Sequence, residues 1–185
     1  MATDESMKFR APRGTHDVLP EDEPYWSFVR RTGERVARLF GYGYIETPMF
    51  EDARIWLRTG EGTDIVEKEM YVFEDRGGEQ LALRPDATSA VCRAYIEHGM
   101  SSRPQPVRVF YFAQKFRYDR PQAGRYRQHT ELGIEAIGDG DASVDAEAID
   151  LLSTFYGALD LSGLTLALNS IGDSECRPAY VEALR

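Results

Sequence analysis

The residues best suited to chemistry in this sequence are arginines, and they are concentrated in one segment. Between Arg108 and Arg127 there are six basic residues and one acid, although the chain of 185 residues has 22 basic and 31 acidic residues and a net charge of −9. From Gln128 to Cys176 there is no Lys or Arg. Because guanidinium groups match phosphate oxygens, the segment is suited to binding phosphate or RNA. The alternative is a solvated loop whose arginines pair with the acids that follow, and charge alone does not separate the two.

Two segments that flank this loop, 107–117 and 128–137, have the alternation of long strands. Alternate side chains of a strand share a face, so Glu131 and Glu135 point the same way, about 13 Å apart, with a glycine between them. Arg117 lies on the side of its strand opposite three phenylalanines. An arginine and two carboxylates on one sheet surface suit a zwitterionic ligand that carries a phosphate. An exposed polar face without a ligand is the alternative, because antiparallel sheets commonly have one.

Several common chemistries lack their motifs. The sequence has no GxxxxGK[ST], no strand-linked GxGxxG and no HExxH. Cys92 and Cys176 form no CxxC pair, so we expect neither a disulfide framework nor a metal bound by the protein. No apolar run approaches the roughly 20 residues of a membrane span, and the first ten residues lack the apolar centre of a secretion signal. We therefore expect a cytoplasmic globular protein that does not enter a membrane.

The remaining segments predict helices and hairpins around these strands. A helix over 21–40 follows from its apolar spacing and from the acids at its start. Asp86 and Ser143 are placed to cap two later helices. The other predicted elements are strands at 44–50, 71–74, 80–83 and 165–170, a glycine-bearing loop at 60–64, and helices at 52–58, 87–97, 144–159 and from Pro178 onward. This order predicts an α+β domain on a mostly antiparallel sheet.

Five sequence stretches occur together here that are typical of one enzyme family. They are RGTHDVLP at 13–20, TGEGTDIVEKEMY at 59–71, LRPDAT at 83–88, FRYDRPQAGRYRQ at 116–128 and LNSIGD at 168–173. With them the chain resembles the histidyl-tRNA synthetases over nearly its whole length from Phe9. The resemblance implies a class II synthetase catalytic domain, an antiparallel sheet flanked by helices, which forms a homodimer. Motif 1 of the family then corresponds to about 21–50, the dimer interface, and motif 2 to about 107–137.

The resemblance also implies an activity and the residues that perform it. The family activates histidine with ATP and Mg²⁺ to histidyl-adenylate and pyrophosphate, and then esterifies the adenosine at the 3′ end of tRNA(His). Arg117 corresponds to the catalytic residue, which holds the α-phosphate and the histidine carboxylate. The implied histidine site comprises Asp86, Ala87, Thr88, Arg117, Glu131 and Glu135, with Glu135 on the imidazole. The implied ATP site comprises Arg117, Asp119, Arg125 and His129, and the implied tRNA contacts are Arg120, Gln122 and Arg127.

Four positions, in three places, depart from the family pattern. The family often has Glu-Gly where this chain has Asp86-Ala87, and Glu where it has Asp119. It commonly has Gln at the position of Glu131. An extra carboxylate there either strengthens the binding of the histidine ammonium group or weakens the binding of ATP, and the sequence does not separate these alternatives.

The family's proteins also continue beyond this chain, with histidine-specific segments, a motif 3 arginine and an anticodon-binding domain. We therefore expect residues 1–185 to be the N-terminal portion of the catalytic domain, inactive or very weak alone. The alternative function is the synthetase-like regulatory subunit of ATP phosphoribosyltransferase, a histidine sensor that charges no tRNA. That subunit is expected to erode motif 2, so the arginines at 117, 125 and 127 favour the enzyme. A third interpretation, for the fragment alone, is a dimerisation module without a ligand.

Overall fold

The chain alternates helices with short and long strands. The structure, a computed structural model, describes residues 9–57, 69–120, 122, 124–170 and 172–184, so the predicted loop at 60–64 lies outside the described residues. In chain order its elements are α1 (Glu23–Leu39), β1 (Gly43–Tyr44), β2 (Phe50–Asp52), α2 (Arg54–Leu57), β3 (Tyr71–Glu74), β4 (Gln80–Leu83), α3 (Thr88–Glu97), a 3-10 turn (Met100–Ser102), β5 (Val107–Phe116), β6 (Gln128–Ile137), α4 (Ala142–Ala158) and α5 (Cys176–Ala183).

Two three-stranded sheets organise these elements, and most of their pairings are antiparallel. In the first sheet β5 lies between β1, which is parallel to it, and β6, which is antiparallel. The β5–β6 register runs without interruption from Val107 opposite Ile137 to Phe116 opposite Gln128. The second sheet has the order β2-β4-β3 and is wholly antiparallel. The predicted α+β fold on a mostly antiparallel sheet is confirmed.

Helices cover both faces of the central strand β5. On one face Phe110, which is fully buried, packs with side chains of α1 and α4 such as Val36 and Phe155. On the other face Val109 and Tyr111 pack against Val91 of α3. Burial on both sides explains why β5 reads as a nearly continuous apolar run. The face that carries Tyr111 is therefore not the open polar surface that was the alternative interpretation for this hairpin.

The predicted strand at 44–50 is wrong, because the chain leaves one sheet and enters the other within it. Only β1 and β2 are strands, and the residues between them form no ladder. The buried guanidinium of Arg84 lies against this crossing, where it donates hydrogen bonds to the carbonyl oxygens of Thr47 at 2.9 Å and, from the first sheet, Gln114 at 2.6 Å. An arginine on β4's C-terminal side thus joins both sheets, and sequence periodicity carries no sign of it.

The predicted strand at 165–170 is also wrong. The described residues 164–170 have no regular secondary structure, and Leu164, Leu166 and Leu168 are 60%, 64% and 77% exposed. The alternation is real, but a strand also needs a neighbouring strand to pair with and a surface to bury its apolar face. No described strand pairs with this segment.

Two helix starts differ from the predicted caps. At α4 the N-cap is Asp141 and not Ser143, because the Asp141 carboxylate accepts a hydrogen bond from the Ser143 backbone N–H at 2.8 Å. At α3 the helix begins at Thr88, and the Asp86 carboxylate accepts from the Ser89 backbone N–H at 3.2 Å. Asp86 therefore does bind a free N–H of the first turn, from one position further out than a standard N-cap.

We expect Gly133→Ala to destabilise the protein. A Cβ at Gly133 would overlap the ring of Tyr111, which lies directly opposite it on β5 and is buried. Because the ring must move within a packed face, we expect a loss of about 1–3 kcal/mol in the free energy of unfolding, measured by urea denaturation. Gly140→Ala is the matched control, since its Cβ would meet nothing within 4 Å. Equal stabilities of the two variants would contradict this close approach.

None of the helices in the described ranges is long and apolar enough to cross a membrane.

Candidate active site

The carboxylate of Glu135 is held by two hydroxyl groups on the covered face of the β5–β6 hairpin. Thr88, at the start of α3, donates to Oε1 at 2.7 Å, and Tyr111 of β5 donates to the same atom at 3.1 Å. Glu135 stands on this face because it alternates with Gly133 and Glu131 along β6. The structure thus brings together two residues of the predicted histidine site, Thr88 and Glu135, which lie 47 positions apart.

The turn between β4 and α3 brings Arg117 to the same region. The Arg117 guanidinium, just past the end of β5, donates through Nε to the carbonyl oxygen of Pro85 at 2.9 Å. Asp86 follows directly and caps α3. Ala87, also predicted for the histidine site, is buried with the side chains of α3 and β5. Asp86 and Arg117 therefore meet at one short turn. Their carboxylate and guanidinium groups have the charges that complement the ammonium and carboxylate groups of an amino acid.

The four residues predicted to bind ATP line one cavity. Arg117, Asp119, Arg125 and His129 surround a cleft of about 440 Å³ at the open end of the hairpin, together with Glu69, Gly124 and Tyr126. The Arg125 guanidinium forms an ion pair with the Asp119 carboxylate at 2.9 Å, and the arginine side chain is 62% exposed. An exposed pair of this kind is weak, so its arginine is available to a competing phosphate.

The electrostatic surroundings of His129 favour a neutral imidazole. Burial lowers the pKa of His129 from its ordinary value of 6.5, and the positive charges of Lys115 and Arg117 lower it further, against the opposing effect of Glu131. A neutral ring keeps one donor and one acceptor and has no charge of its own beside the two cations. Such a ring is suited to stacking on a nucleobase or forming a hydrogen bond with it.

Glu131 has an ionic partner that the sequence analysis did not assign. Its carboxylate contacts the ammonium group of Lys115, whose side chain is only 8% exposed. Lys115 stands opposite His129 in the ladder, and Ala113 stands opposite Glu131, so the ion pair crosses the two strands diagonally on one face. Glu131 therefore is not a bare carboxylate in the unliganded protein.

The three predicted tRNA contacts lie in the connection between β5 and β6. Arg120 and Gln122 are exposed, and Gln122 forms an isolated bridge with Arg125 across the turn. Arg127 is half-buried, with its guanidinium 4.1 Å from the centre of the Tyr118 ring and its Nε donating to the Asp119 carbonyl at 3.2 Å. Arg127 is therefore a stacked residue whose contact with RNA would use the outer edge of its guanidinium.

Sequence reasoning missed Tyr111, Lys115 and Glu69 as residues of the site. The alternation that selected Arg117 also puts residues 111, 113 and 115 on its face, so the signal for Tyr111 and Lys115 was present. Their partners on β6 could not be read from the sequence, because the register across an 11-residue connection is not encoded in alternation. Glu69 reaches the cleft from another part of the chain, where its carbonyl accepts from the Tyr118 N–H at 2.7 Å.

In the part of the chain that the structure describes, no group of three or more His, Cys, Asp or Glu side chains is arranged to hold a metal ion.

We expect the stability of the protein to fall in alkali through its buried tyrosines. Burial, and next the hydrogen bond to Glu147, raises the pKa of Tyr42 from 10.0 to about 12, and burial raises the pKa of Tyr111. Because both folded-state pKa values are raised, both contributions are complete below pH 10, and that of Tyr42 is lost as the pH rises through about 12. Unfolding measured by circular dichroism across this range should show a smaller loss in Tyr42→Phe than in the parent. Identical pH profiles would contradict the assignment.

The fold is that of a class II aminoacyl-tRNA synthetase, with an antiparallel hairpin, arginines and a cleft of about 440 Å³ at its open end, and helices on both faces. The chain belongs to the histidyl-tRNA synthetase family, whose model matches residues 14–172.

Its relatives are consistent with this assignment. The chain is 59% identical over 178 residues to the histidine–tRNA ligase of Dehalococcoides mccartyi strain 195, and the match covers 96% of this chain and 43% of that protein. The histidine–tRNA ligase of Anoxybacillus flavithermus is 47% identical over 180 residues, with coverage of 96% and 43%. The chain thus spans 43% of the length of these curated relatives.

Two solved structures share the fold. The apo histidyl-tRNA synthetase of S. aureus superposes with a TM-score of 0.80 at 38% identity, covering 96% of this chain and 41% of that one. An ATP phosphoribosyltransferase regulatory subunit/histidyl-tRNA synthetase from Bacillus halodurans has a TM-score of 0.73 at 28% identity, covering 85% and 40%.

Proposed function

We propose that the protein carrying this chain is a histidine–tRNA ligase, which activates histidine with ATP and transfers it to the 3′ end of tRNA(His). One observation carries the proposal: the cleft lined by Arg117, Arg125 and His129 adjoins the turn that bears Asp86 and Thr88, next to the carboxylate of Glu135. A nucleotide and an amino acid in these two places would both lie within reach of Arg117.

Activation needs only positioning and charge neutralisation from these residues. A histidine carboxylate oxygen attacks the α-phosphorus, a new O–P bond forms, and the bond to the bridging oxygen of pyrophosphate breaks without a proton transfer. Arg117 is placed to bind both the carboxylate and the α-phosphate, so that it lowers their repulsion and holds them in line. Mg²⁺ bound to the phosphates of ATP would neutralise part of their charge.

The two ends of histidine are distinguished by two acids. Asp86 with Thr88 is placed to receive the α-ammonium group, while Glu135 accepts an N–H from the imidazole. The hydroxyls of Thr88 and Tyr111 already fix Oε1 of Glu135, which orients the carboxylate before the ligand arrives. A pre-organised acceptor discriminates against amino acids without an N–H in the side chain, because the charge would then be left unpaired.

The Arg125–Asp119 ion pair gives ATP a route into the cleft. We infer that the γ-phosphate takes Arg125 from Asp119, which frees the Asp119 carboxylate to accept from the adenine amine. The exchange replaces an exposed ion pair by a contact with a more highly charged group. His129, neutral through its surroundings, completes the adenine side.

For the second step, we propose that Arg120, Gln122 and Arg127 contact the acceptor end of tRNA(His), and that the enzyme works in the cytoplasm. The step is tested by charging of purified tRNA(His) with labelled histidine by the gene product that carries this chain. A histidyl-tRNA product supports the proposal. If the enzyme forms the adenylate but no histidyl-tRNA, the proposed transfer to tRNA is contradicted.

A second candidate has one observation in its favour, which is the structural match to a protein named both as an ATP phosphoribosyltransferase regulatory subunit and as a synthetase. A regulatory subunit would bind histidine at Glu135 without needing arginines for ATP. The two arginines that line the cleft, Arg117 and Arg125, favour the ligase. Histidine binding without any reaction of ATP would favour the regulatory subunit.

We further propose a homodimer formed through α1. This helix leaves large apolar side chains exposed, with Tyr25 75% and Leu39 73% accessible to solvent. Light scattering of the chain should give the mass of a dimer at tens of micromolar, and Phe28→Asp should shift it to monomer. Leu152→Asp on α4, a comparably exposed position, is the control and should leave the dimer intact. A monomeric parent chain at that concentration would contradict the proposed interface.

A further inference from the structure

The one buried lysine of the described site, Lys115, has no role in the proposed chemistry. It is 6% exposed, and its ammonium group contacts the Glu131 carboxylate. Burying an ammonium group without a counter-charge is costly, and so is leaving a carboxylate beside phosphates. Glu131 therefore supplies the counter-charge for the buried ammonium group, and Lys115 neutralises the carboxylate that would otherwise repel phosphates.

The position of the pair determines what it can affect. Lys115 faces His129 across the ladder, and Glu131 is two residues from His129 on the same face, about 7 Å along the strand. The ion pair thus lies between the nucleotide cleft, which His129 lines, and the carboxylate of Glu135. Any net charge at this point acts on both ligands.

Building on the proposed ligase function, we propose that Lys115 is a positioning residue that cancels the charge of Glu131. Glu131 is a third carboxylate in the histidine site, beside Asp86 and Glu135, and with its charge cancelled the neighbouring cleft keeps its affinity for ATP. Pairing through Oε2 leaves Oε1 of Glu131 as an acceptor for the histidine ammonium group. Glu131 then offers an oriented oxygen without adding net negative charge near the phosphates. Asp86 and Glu135 remain the two acids that act by their charge.

The environment of His129 agrees with this arrangement. The charged groups that face its ring are Lys115, Arg117 and Glu131 nearby and Glu69, Asp119 and Arg125 across the cleft. Of the nearest three, Lys115 lowers the pKa of His129 and Glu131 raises it. The two members of the pair thus act on the ring in opposite directions, and removal of only one of them should be visible at His129.

The test is a double-mutant cycle in the gene product that carries this chain, with Lys115→Met, Glu131→Gln and the double variant. We expect Lys115→Met to raise the KM for ATP about tenfold in histidine-dependent pyrophosphate exchange, because an unpaired carboxylate then faces the phosphates. Glu131→Gln should raise the KM for histidine about fivefold, because an unpaired ammonium group repels that of the substrate. In the double variant both KM values should return to within about threefold of the parent.

Independent variants control for a merely structural pair. Arg108 and Glu147 form a half-buried ion pair at 2.8 Å on the opposite face of β5, next to α4. The cycle of Arg108→Met and Glu147→Gln should lower stability without changing either KM. If the Lys115 cycle behaves in the same way, with altered stability and unaltered KM values, or if its effects on KM are simply additive, the proposal is overturned.

A readout without catalysis separates this proposal from the ligase function. In the unliganded protein, the NMR titration of His129 should give a higher pKa in Lys115→Met, a lower pKa in Glu131→Gln and an intermediate value in the double variant. If the parent enzyme catalyses no exchange, the ligase function has failed, and this titration still decides whether the two charges compensate. Unchanged His129 titration in all variants would overturn the inference whatever the activity.

Discussion

Arg117→Ala should reduce histidine-dependent pyrophosphate exchange by about 10²–10³-fold, because the residue supplies charge stabilisation at the reacting phosphate. In the structure the side chain donates a hydrogen bond through Nε to the Pro85 carbonyl and lines the cleft. Loss of that single hydrogen bond should lower the free energy of unfolding by only about 1 kcal/mol. The effect on rate should therefore far exceed the effect on stability.

Two further variants sharpen this result. Arg117→Lys keeps the charge but loses the planar fork, so we expect it to recover only part of the rate. Arg103→Ala removes an exposed arginine that follows the 3-10 turn, and should change neither exchange nor stability. A variant Arg117→Ala that keeps its activity and loses several kcal/mol of stability, more than the about 1 kcal/mol of one hydrogen bond, would make Arg117 a structural residue.

Glu135→Gln should raise the KM for histidine about tenfold or more, with a much smaller change in the KM for ATP. The substitution keeps the size of the side chain and one oxygen, which can still accept from Thr88 or Tyr111. It removes the negative charge that strengthens the hydrogen bond from the imidazole N–H, and a charged hydrogen bond is worth roughly 1.5–3 kcal/mol. The loss should therefore be specific to the amino acid.

The measurement is exchange kinetics with each substrate varied in turn. Glu79→Gln, at an exposed position before β4, is the matched control and should leave both KM values unchanged. Thr88→Val removes one of the two donors that orient Glu135, and we expect a smaller rise in the KM for histidine than with Glu135→Gln. An unchanged KM for histidine in Glu135→Gln, or a loss confined to ATP, would place the imidazole elsewhere.

Much of the site could be predicted because strand alternation is a local property. Residues 131 and 135 share a face in any extended chain, and the cationic segment between the two strands is visible in the sequence. The pairing of Lys115 with Glu131 depends on the register of β5 against β6, which the packing of the whole hairpin determines. Alternation put Lys115 on the same face of β5 as Arg117, but its ionic partner could not be predicted from the sequence.

The fold was predictable to the same extent. Segments with their own partners nearby, such as the β3–β4 hairpin, have the predicted bounds, because the turn between them is encoded by Asp75 and a glycine at positive φ. The strand predictions at 44–50 and 165–170 were wrong because contacts with distant parts of the chain determine the structure of these segments. In the first case the Arg84 guanidinium fixes an irregular crossing, and in the second the described residues offer no strand to pair with.

The most direct test of the proposed function is amino-acid-dependent ATP–pyrophosphate exchange by the gene product that carries this chain, measured with each of the standard amino acids in turn. We expect exchange with histidine and none above background with the others, because only histidine gives Glu135 an imidazole N–H beside the arginines of the cleft. Histidine binding without exchange, or exchange with another amino acid, would contradict the assignment of this site to histidine activation.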